Sequence, residues 1–430
     1  MNPVKKIYCR IFQKAFHIAQ PLLPYHEPNL LRRVADIPPL LADQGIRAVL
    51  LVTDSFLRTS GITTPLEQQL EKAGIRCLVY DRTRANPTVQ NVEEARELYL
   101  EHNCQALIAF GGGSAMDCAK AVGARIARPN KPLNKMKGIL RVMRRIPPLF
   151  AIPTTAGTGS ETTLAAVITD AETHTKYPIN DFFLIPDWAV LDPEVTYTLP
   201  PHLTATTGMD ALTHAVEAFI GRSTNPKTRQ QALEATRLIF GNLETAYACG
   251  TDRTARANML KAAFLAGSAF TVSYVGYIHA VAHSLGGQYN IPHGLANAVL
   301  LPNFLEAYGE PIHKKLHHLA LAAGISTTED TDREGAEKFI AAVRAMNKRM
   351  DIPETLPGIC EADIPVMAAH AEAEANPLYP VPTLMTRTEL EQFYYQVADW
   401  SENHARNQID SGRTENVLSK RRNASGVVPN

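Results

Sequence analysis

Asp210 and His214 stand four residues apart in Gly208-Met209-Asp210-Ala211-Leu212-Thr213-His214, and His279 and His283 repeat that spacing ahead of His293. Residues four apart on a helix project from one face about a turn apart, close enough to grip a single cation. Three imidazoles with one carboxylate form a mixed nitrogen and oxygen set that suits zinc or ferrous iron rather than calcium or magnesium. One pair at this spacing is common by chance, so it is the company of the two pairs that points to one divalent transition-metal site. Ala280 follows His279, which removes the metalloprotease pattern, where a glutamate general base stands at that place. His293 is expected to follow a chain break at Gly286-Gly287.

A second signal lies at residues 106–120. An apolar run ends in Phe110-Gly111-Gly112-Gly113-Ser114, which reads as a buried parallel strand, a tight turn and a helix opened by Ser114. The free N–H groups of such a helix start can receive a phosphate. Met116 stands where the usual dinucleotide fingerprint has its third glycine, so a plain tight turn explains this stretch equally well. The strand expected at 148–153 runs into Thr154-Thr155-Ala156-Gly157-Thr158-Gly159-Ser160-Glu161, a second loop of glycine and small hydroxyl residues. Two such loops can enclose one nucleotide.

Taken together these motifs resemble the iron-containing, or group III, alcohol dehydrogenases. The resemblance rests on Gly111 to Ser114 with Asp117 and Lys120, Pro153 to Glu161, Met209 to His214, and His279 to Ala298. These occur in the family's order and cover roughly residues 30–400. The resemblance implies metal ligands at Asp210, His214, His279 and His293, with His283 beside the nicotinamide as a proton carrier. It implies cofactor contacts at Asp54, Asn86, Gly112, Gly113, Ser114, Thr154, Thr155, Thr158, Thr163 and Lys176, and a substrate-pocket position at Phe270. Asp54 ends the strand expected at 48–53, where it would accept from a ribose 2′-hydroxyl and repel a 2′-phosphate, favouring NAD over NADP; a helix N-cap is its other reading.

The activity so implied is a metal-dependent oxidoreductase that interconverts a small alcohol and its aldehyde or ketone by hydride transfer to or from NAD. Ferrous iron is the favoured ion, because four protein ligands plus a substrate oxygen make five positions; zinc is the alternative. A specialised lactaldehyde or diol oxidoreductase is the alternative within the family. A dehydroquinate-synthase-type lyase would need basic residues near the metal motifs for its phosphate, yet between 204 and 298 they fall mainly at 222–237 and 253–261. A non-enzymatic NAD-binding scaffold fits poorly with a complete ligand set. Loops around Ala151, Phe270, Tyr274 and Tyr379 are expected to shape the pocket, and a homo-oligomer, a dimer in the first place, is the expected assembly.

The elements that must position these groups follow from pattern and length. At 430 residues the chain exceeds the size at which a single core stops growing, about 250–300 residues. Short apolar runs at 48–52, 77–80, 106–110 and 149–152 alternate with helical stretches such as 89–102, the signature of a mostly parallel sheet with crossover helices. Beyond Leu199-Pro200-Pro201 the pattern becomes helical, with long stretches at 227–247, 253–270 and 333–350. The expected fold is therefore an α/β dinucleotide-binding domain at 31–199 followed by an all-α metal-binding domain at 200–410. An amphipathic extension at 1–30 precedes them and a flexible tail at 411–430 follows.

Composition narrows the partners. Lys plus Arg and Asp plus Glu both number 43, which leaves no basic excess to neutralise nucleic-acid phosphates. The six cysteines are dispersed and form no C-x-x-C pair, as expected of a reducing cytoplasm. No apolar stretch reaches the roughly 18 residues of a membrane span. Val4, Ile7, Tyr8, Ile11, Phe12 and Ala15 form an apolar helical stripe beside Lys5, Lys6, Arg10 and Lys14, expected to pack on the protein's own surface.

Overall fold

A run such as Ala48-Val49-Leu50-Leu51-Val52 has no polar face to turn toward water, so it folds stably only where both faces are covered. The structure, a computed structural model, describes residues 2–171 and 175–401; the expected tail at 411–430 lies outside them. Among the described residues the strands are β1 (Asn29–Leu31), β2 (Ala48–Val52), β3 (Arg76–Tyr80), β4 (Ala106–Gly111), β5 (Gly138–Ile139), β6 (Leu149–Pro153), β7 (Ala165–Asp170), β8 (Thr175–Asn180) and β9 (Trp188–Val190). Six form one sheet in the order β1-β9-β6-β4-β2-β3, with every neighbouring pair parallel.

Strands β2, β4 and β6 are buried at every position. The pleat sends Leu50, Val52, Leu107 and Ala109 to one core, under the helices Val89–Glu101 and Gly113–Ala127. It sends Val49, Leu51, Ile108 and Phe110 to the other, with Leu41, Leu66 and Leu70. Each of the larger of these side chains, taken fully out of water, contributes about 1.5–3 kcal/mol. The second, three-stranded sheet, in the order β5-β8-β7, was not expected. Strand β7 continues the short apolar run Leu164-Ala165-Ala166-Val167-Ile168, but it is buried only at alternate positions and ends in Thr169 and Asp170, so the run does not mark a second sheet. Strands β1 and β9 have three residues each, too few for a period to show.

From Pro201 onward every named element among the described residues is a helix. The fold class is thus an α/β half with a parallel main sheet followed by an all-α half. Local chemistry sets the helix starts. Asn225 accepts the Thr228 N–H at 2.9 Å with Pro226 at the first helical position of Pro226–Ala248, and Asp252 accepts the Ala255 N–H at 2.8 Å to open Arg253–Ser273. One expectation is corrected. The helix Tyr277–Tyr289 continues through Gly286-Gly287 and stops at Asn290, which takes φ 54°. Asparagine tolerates that left-handed turn, and the Ile291-Pro292 that follows cannot continue the helix.

The two halves meet where side chains are missing. A Cβ on Gly159, which has φ 60°, would lie 2.7 Å from the Cα of Gly267 in the helix Arg253–Ser273. One on Gly157 would lie 2.6 Å from the Thr207 carbonyl oxygen in the helix Pro201–Ile220. The loop that follows β6 therefore sits flush on the helix that carries Asp210.

The N-terminal stripe does form a helix, Pro3–Ala19, with Asn2 accepting the Val4 N–H at 2.9 Å. It packs on the protein, but through the opposite face from the one expected. Cys9 and Gln13 are buried, whereas Val4, Ile7, Tyr8 and Ile11 remain 72%, 60%, 57% and 64% exposed. The surface beneath offers backbone carbonyls, which only polar side chains can satisfy. Gln13 Nε2 donates to the Tyr379 carbonyl at 2.7 Å, and Arg10 donates to those of Val381 and Pro382 at 2.7 and 2.8 Å. No single helix among the described residues is long and apolar enough to cross a membrane. The apolar bent pair Arg253–Ser273 and Tyr277–Tyr289 supplies much of the helical core.

Candidate active site

Asp210 and His214 occupy successive turns of Pro201–Ile220, His279 lies near the start of Tyr277–Tyr289, and His293 opens His293–Tyr308. Three helices thus bring four side chains together, with one candidate ligand atom from each and all four atoms within 4.8 Å of one another. His279 Nε2 and His293 Nε2 lie 3.8 and 3.5 Å from Asp210 Oδ1. The rings of His214 and His279 are nearly parallel, with centroids 4.5 Å apart.

This donor set fits a divalent ion. His279 Nε2, 3.8 Å from Asp210 Oδ1, is a buried polar atom without a hydrogen-bond partner, a costly arrangement that a cation relieves. Burial lowers the pKa of His214, takes that of His279 well below the usual imidazole value and lowers that of His293 to about 4, so all three present neutral imidazoles.

Two further residues complete the centre. Glu217, fully buried, accepts the N–H groups of Gly276 and Ile278 at 2.8 and 2.9 Å and stands 2.5 Å from His279 Nδ1. Burial pushes its pKa up to about 8 against the pull of those backbone donors. Accepting the Nδ1 proton, it leaves Nε2 of His279 for a metal, the carboxylate–histidine–metal arrangement. Asn297 Nδ2 donates to Asp210 Oδ1 at 2.6 Å and lies 3.1 Å from His293 Nε2. Glu217 was missed although it lies seven residues beyond Asp210, on the same helix face.

His283 stacks on His293 with centroids 5.1 Å apart, yet its side chain keeps 43% of its surface accessible, unlike the nearly inaccessible His279. Burial acts to lower its pKa, but the charge and hydrogen bond of Glu374 outweigh that and raise it. Its ring thus lies against the cluster and keeps an accessible edge. Phe270 stacks on His214 at 4.2 Å, which puts its ring against the same cluster. Tyr274 and Tyr379 lie nearby as a pair, with centroids 6.4 Å apart. Ala151, expected near the pocket, is instead buried inside β6, paired with Ala109 and Ala189.

The two glycine-containing loops leave the carboxyl ends of adjacent strands β4 and β6, where open parallel sheets bind ligands. Gly112 is the N-cap of Gly113–Ala127, one residue earlier than expected, so the N–H groups at that helix start remain available to an anion. A Cβ on Gly112 would touch Thr155, and one on Gly113 would lie 3.2 Å from Thr158, so the loops face each other at contact distance. Thr154 ties them together, its N–H donating to Gly111 O at 3.1 Å. Ser114 Oγ accepts the Asn86 N–H at 3.3 Å, drawing Asn86 to the same place. Asp54 caps the helix Ser55–Thr59 through Oδ1, accepting the Leu57 N–H at 2.9 Å. Lys176 reaches across from β8 toward the Gly286 carbonyl at 3.5 Å.

Thr163 is different. It is buried, and its hydroxyl accepts from Lys120 Nζ at 2.8 Å. The ammonium of Lys120 also donates to the carbonyls of Ser160, Thr163 and Ala165 at 2.7, 2.9 and 3.0 Å. Asp117 accepts from Ser160 Oγ at 3.1 Å and from the Val167 N–H at 3.1 Å. Asp117, Lys120 and Thr163 therefore brace the second loop from behind rather than line the cleft.

Comparison with known proteins is consistent along nearly the whole chain. Residues 31–193 match the family described as iron-containing alcohol dehydrogenase, and residues 204–398 match the C-terminal part of the Fe-containing alcohol dehydrogenase family. The chain is 38% identical over 367 residues to 1,3-propanediol dehydrogenase of Klebsiella pneumoniae, covering 84% of this chain and 94% of that one. It is 37% identical over 359 residues to alcohol dehydrogenase 4 of Saccharomyces cerevisiae (strain YJM789), covering 83% and 91%. A crystal structure of 1,3-propanediol oxidoreductase superposes with a TM-score of 0.83 at 35% identity, covering 87% of this chain and 99% of that one.

Proposed function

The chain belongs to the iron-containing alcohol dehydrogenase family, and from that membership we propose that Asp210, His214, His279 and His293 hold its ion and that His283 moves its proton. The protein is an NAD-dependent oxidoreductase, using iron or another divalent metal, that interconverts an alcohol with its aldehyde or ketone. The observation that carries the residue assignment is the convergence of four ligand atoms, with His279 Nε2 an otherwise orphaned buried ring nitrogen beside Asp210.

When bound, the ion supplies Lewis acidity of the kind that takes water from a pKa of about 16 to about 7. NAD, when bound, takes or returns the hydride. The chain's own groups do the rest. Backbone N–H groups from Gly113 onward receive the pyrophosphate, with Gly112, Ser114, Asn86, Thr154, Thr155 and Thr158 around it. The first carboxylate oxygen of Asp54 caps its helix, which leaves the second as the group that would meet the ribose, and Lys176 would contribute from β8. Phe270 forms an apolar wall beside His214. His283 carries a proton between the substrate hydroxyl and water.

Ferrous iron is our favoured ion, with zinc as the alternative. The dinucleotide-binding unit is assigned to 31–199 and the metal-binding unit to 200–410, in a homodimer housed in the cytoplasm. Short primary alcohols and diols are the substrate class, in keeping with the names of the 1,3-propanediol relatives.

The test is NADH formation across a panel of such alcohols, using protein stripped of metal and reloaded anaerobically with ferrous iron or zinc. Activity should return with one of these ions and be lost in His279→Ala. Equal activity in the stripped protein would overturn the assignment.

A further inference from the structure

We propose that Glu374 is the positioning residue that sets the tautomer and ring orientation of His283, an inference that rests on the proton-carrier reading above. Glu374 lies in the last turn of the helix Ile364–Ala375, 91 residues along the chain from His283. Its Oε1 is 2.7 Å from His283 Nδ1 and 2.8 Å from the Tyr379 hydroxyl.

The chemistry of the three groups leaves one consistent arrangement. A carboxylate only accepts, and a phenol held against one donates. Tyr379 thus fills one lone pair of Oε1, and the contact with His283 is made by an Nδ1–H donor. Nε2 is then the nitrogen that carries the free lone pair and can take a proton from a hydroxyl. The opposite tautomer would set the lone pair of Nδ1 against the carboxylate. The ring is held on its face as well, by the stack on His293, with an interplanar angle of 16°. Carboxylate on one edge and imidazole on one face fix both the plane of the ring and its protonated side.

The carboxylate is itself held. Tyr379 is buried, and its carbonyl accepts from Gln13 of the N-terminal helix at 2.7 Å. Arg10 clamps Val381 and Pro382 just beyond, and Lys5 pairs with Glu372 at 2.7 Å. The extension that precedes the family match at residue 31 therefore belongs to the support of the proton-moving residue.

The experiment uses the full chain, loaded with the ion that restores activity, and compares Glu374→Ala, Glu374→Gln, Tyr379→Phe and His283→Ala. Glu374→Ala should lower kcat roughly 10–100-fold, the range for loss of a partner that orients a ligand or catalytic imidazole. Metal content and KM for NAD should stay near wild type. Added formate should restore part of kcat in Glu374→Ala and none in His283→Ala, because only the former leaves a cavity shaped for a carboxylate beside an intact imidazole. Tyr379→Phe should show a smaller loss of the same kind, and adding Glu374→Ala to His283→Ala should lower kcat no further. If Glu374→Ala does not fold, the nearly isosteric Glu374→Gln decides the matter through the same kcat loss.

A kcat within about twofold of wild type in the Glu374 variants would overturn the proposal. So would a loss explained by missing metal. If His283→Ala itself keeps wild-type turnover, the underlying proton-carrier reading fails, which the other variants do not decide.

Discussion

At the scale of single residues, the centre is built from pairs in which one side chain does chemistry and a second holds it. Glu217 holds His279 through Nδ1, so replacing its carboxylate changes the metal without removing a ligand. Glu217→Gln should weaken metal binding roughly 10–100-fold, as read by competition against a chromophoric chelator, while circular dichroism stays unchanged. An unaltered affinity would show that the backbone N–H groups of Gly276 and Ile278, not the imidazole, are what this carboxylate serves. The converging side chains could be found in the sequence because helical spacing is a local code: Asp210 and His214 declare one another. Glu217 obeys the same code two turns on from Asp210, but a glutamate at a helical position is most often a solvated side chain, so its spacing alone does not mark it. Glu374 had no such signal. Its nearness to His283 is created by packing of the helices Ile364–Ala375 and Tyr277–Tyr289, and spacing within one helix says nothing about that.

At the scale of elements, the loop after β6 is the piece that packs between the glycine turn after β4 and the helix carrying Asp210, and it is stiffened by buried charge. Burial raises the pKa of Glu161 to about 7, its own backbone hydrogen bond and Lys120 pulling the other way, and its Oε1 has no partner. The folded form therefore keeps a proton that the unfolded chain gives up near pH 4.5. The stability this group contributes is complete below that pH and is lost as pH rises through about 7. Glu161→Gln cannot titrate, so its unfolding midpoint in urea should fall less than that of the wild type between about pH 5 and about pH 8. Parallel curves for the two proteins would refute this. The loop's glycines and small hydroxyl residues were legible as a tight loop after a buried strand, but its bracing was not, because the partners that Lys120 meets lie 40 to 45 residues away along the chain. Elements followed the same division. Strands β2, β4 and β6, buried on both faces, stood out as apolar runs; β7, covered on one side, carries a shorter run of mostly small residues that does not by itself mark a second sheet.

At the scale of the molecule, the metal is a fastener as well as a reagent, since its proposed ligands come from three helices of the all-α half. An ion that binds only the folded state stabilises it by about 2.7 kcal/mol at a hundredfold excess over Kd. Chelation should therefore lower the thermal midpoint, and reloading should restore it in proportion to the logarithm of free metal, as followed by calorimetry. A midpoint indifferent to metal would mean that the helices are already fully locked without it. Packing of the two halves carries a different kind of constraint. Gly159 and Gly267 meet backbone to backbone, and a methyl group on either would intrude on the other. Over generations such a seam cannot drift: a change on one side has no small step on the other that makes room for it, because both sides already carry the smallest residue. The proposed substrate wall around Phe270 has no such lock, so selectivity can be altered there by substitution while the seam between the two halves admits none.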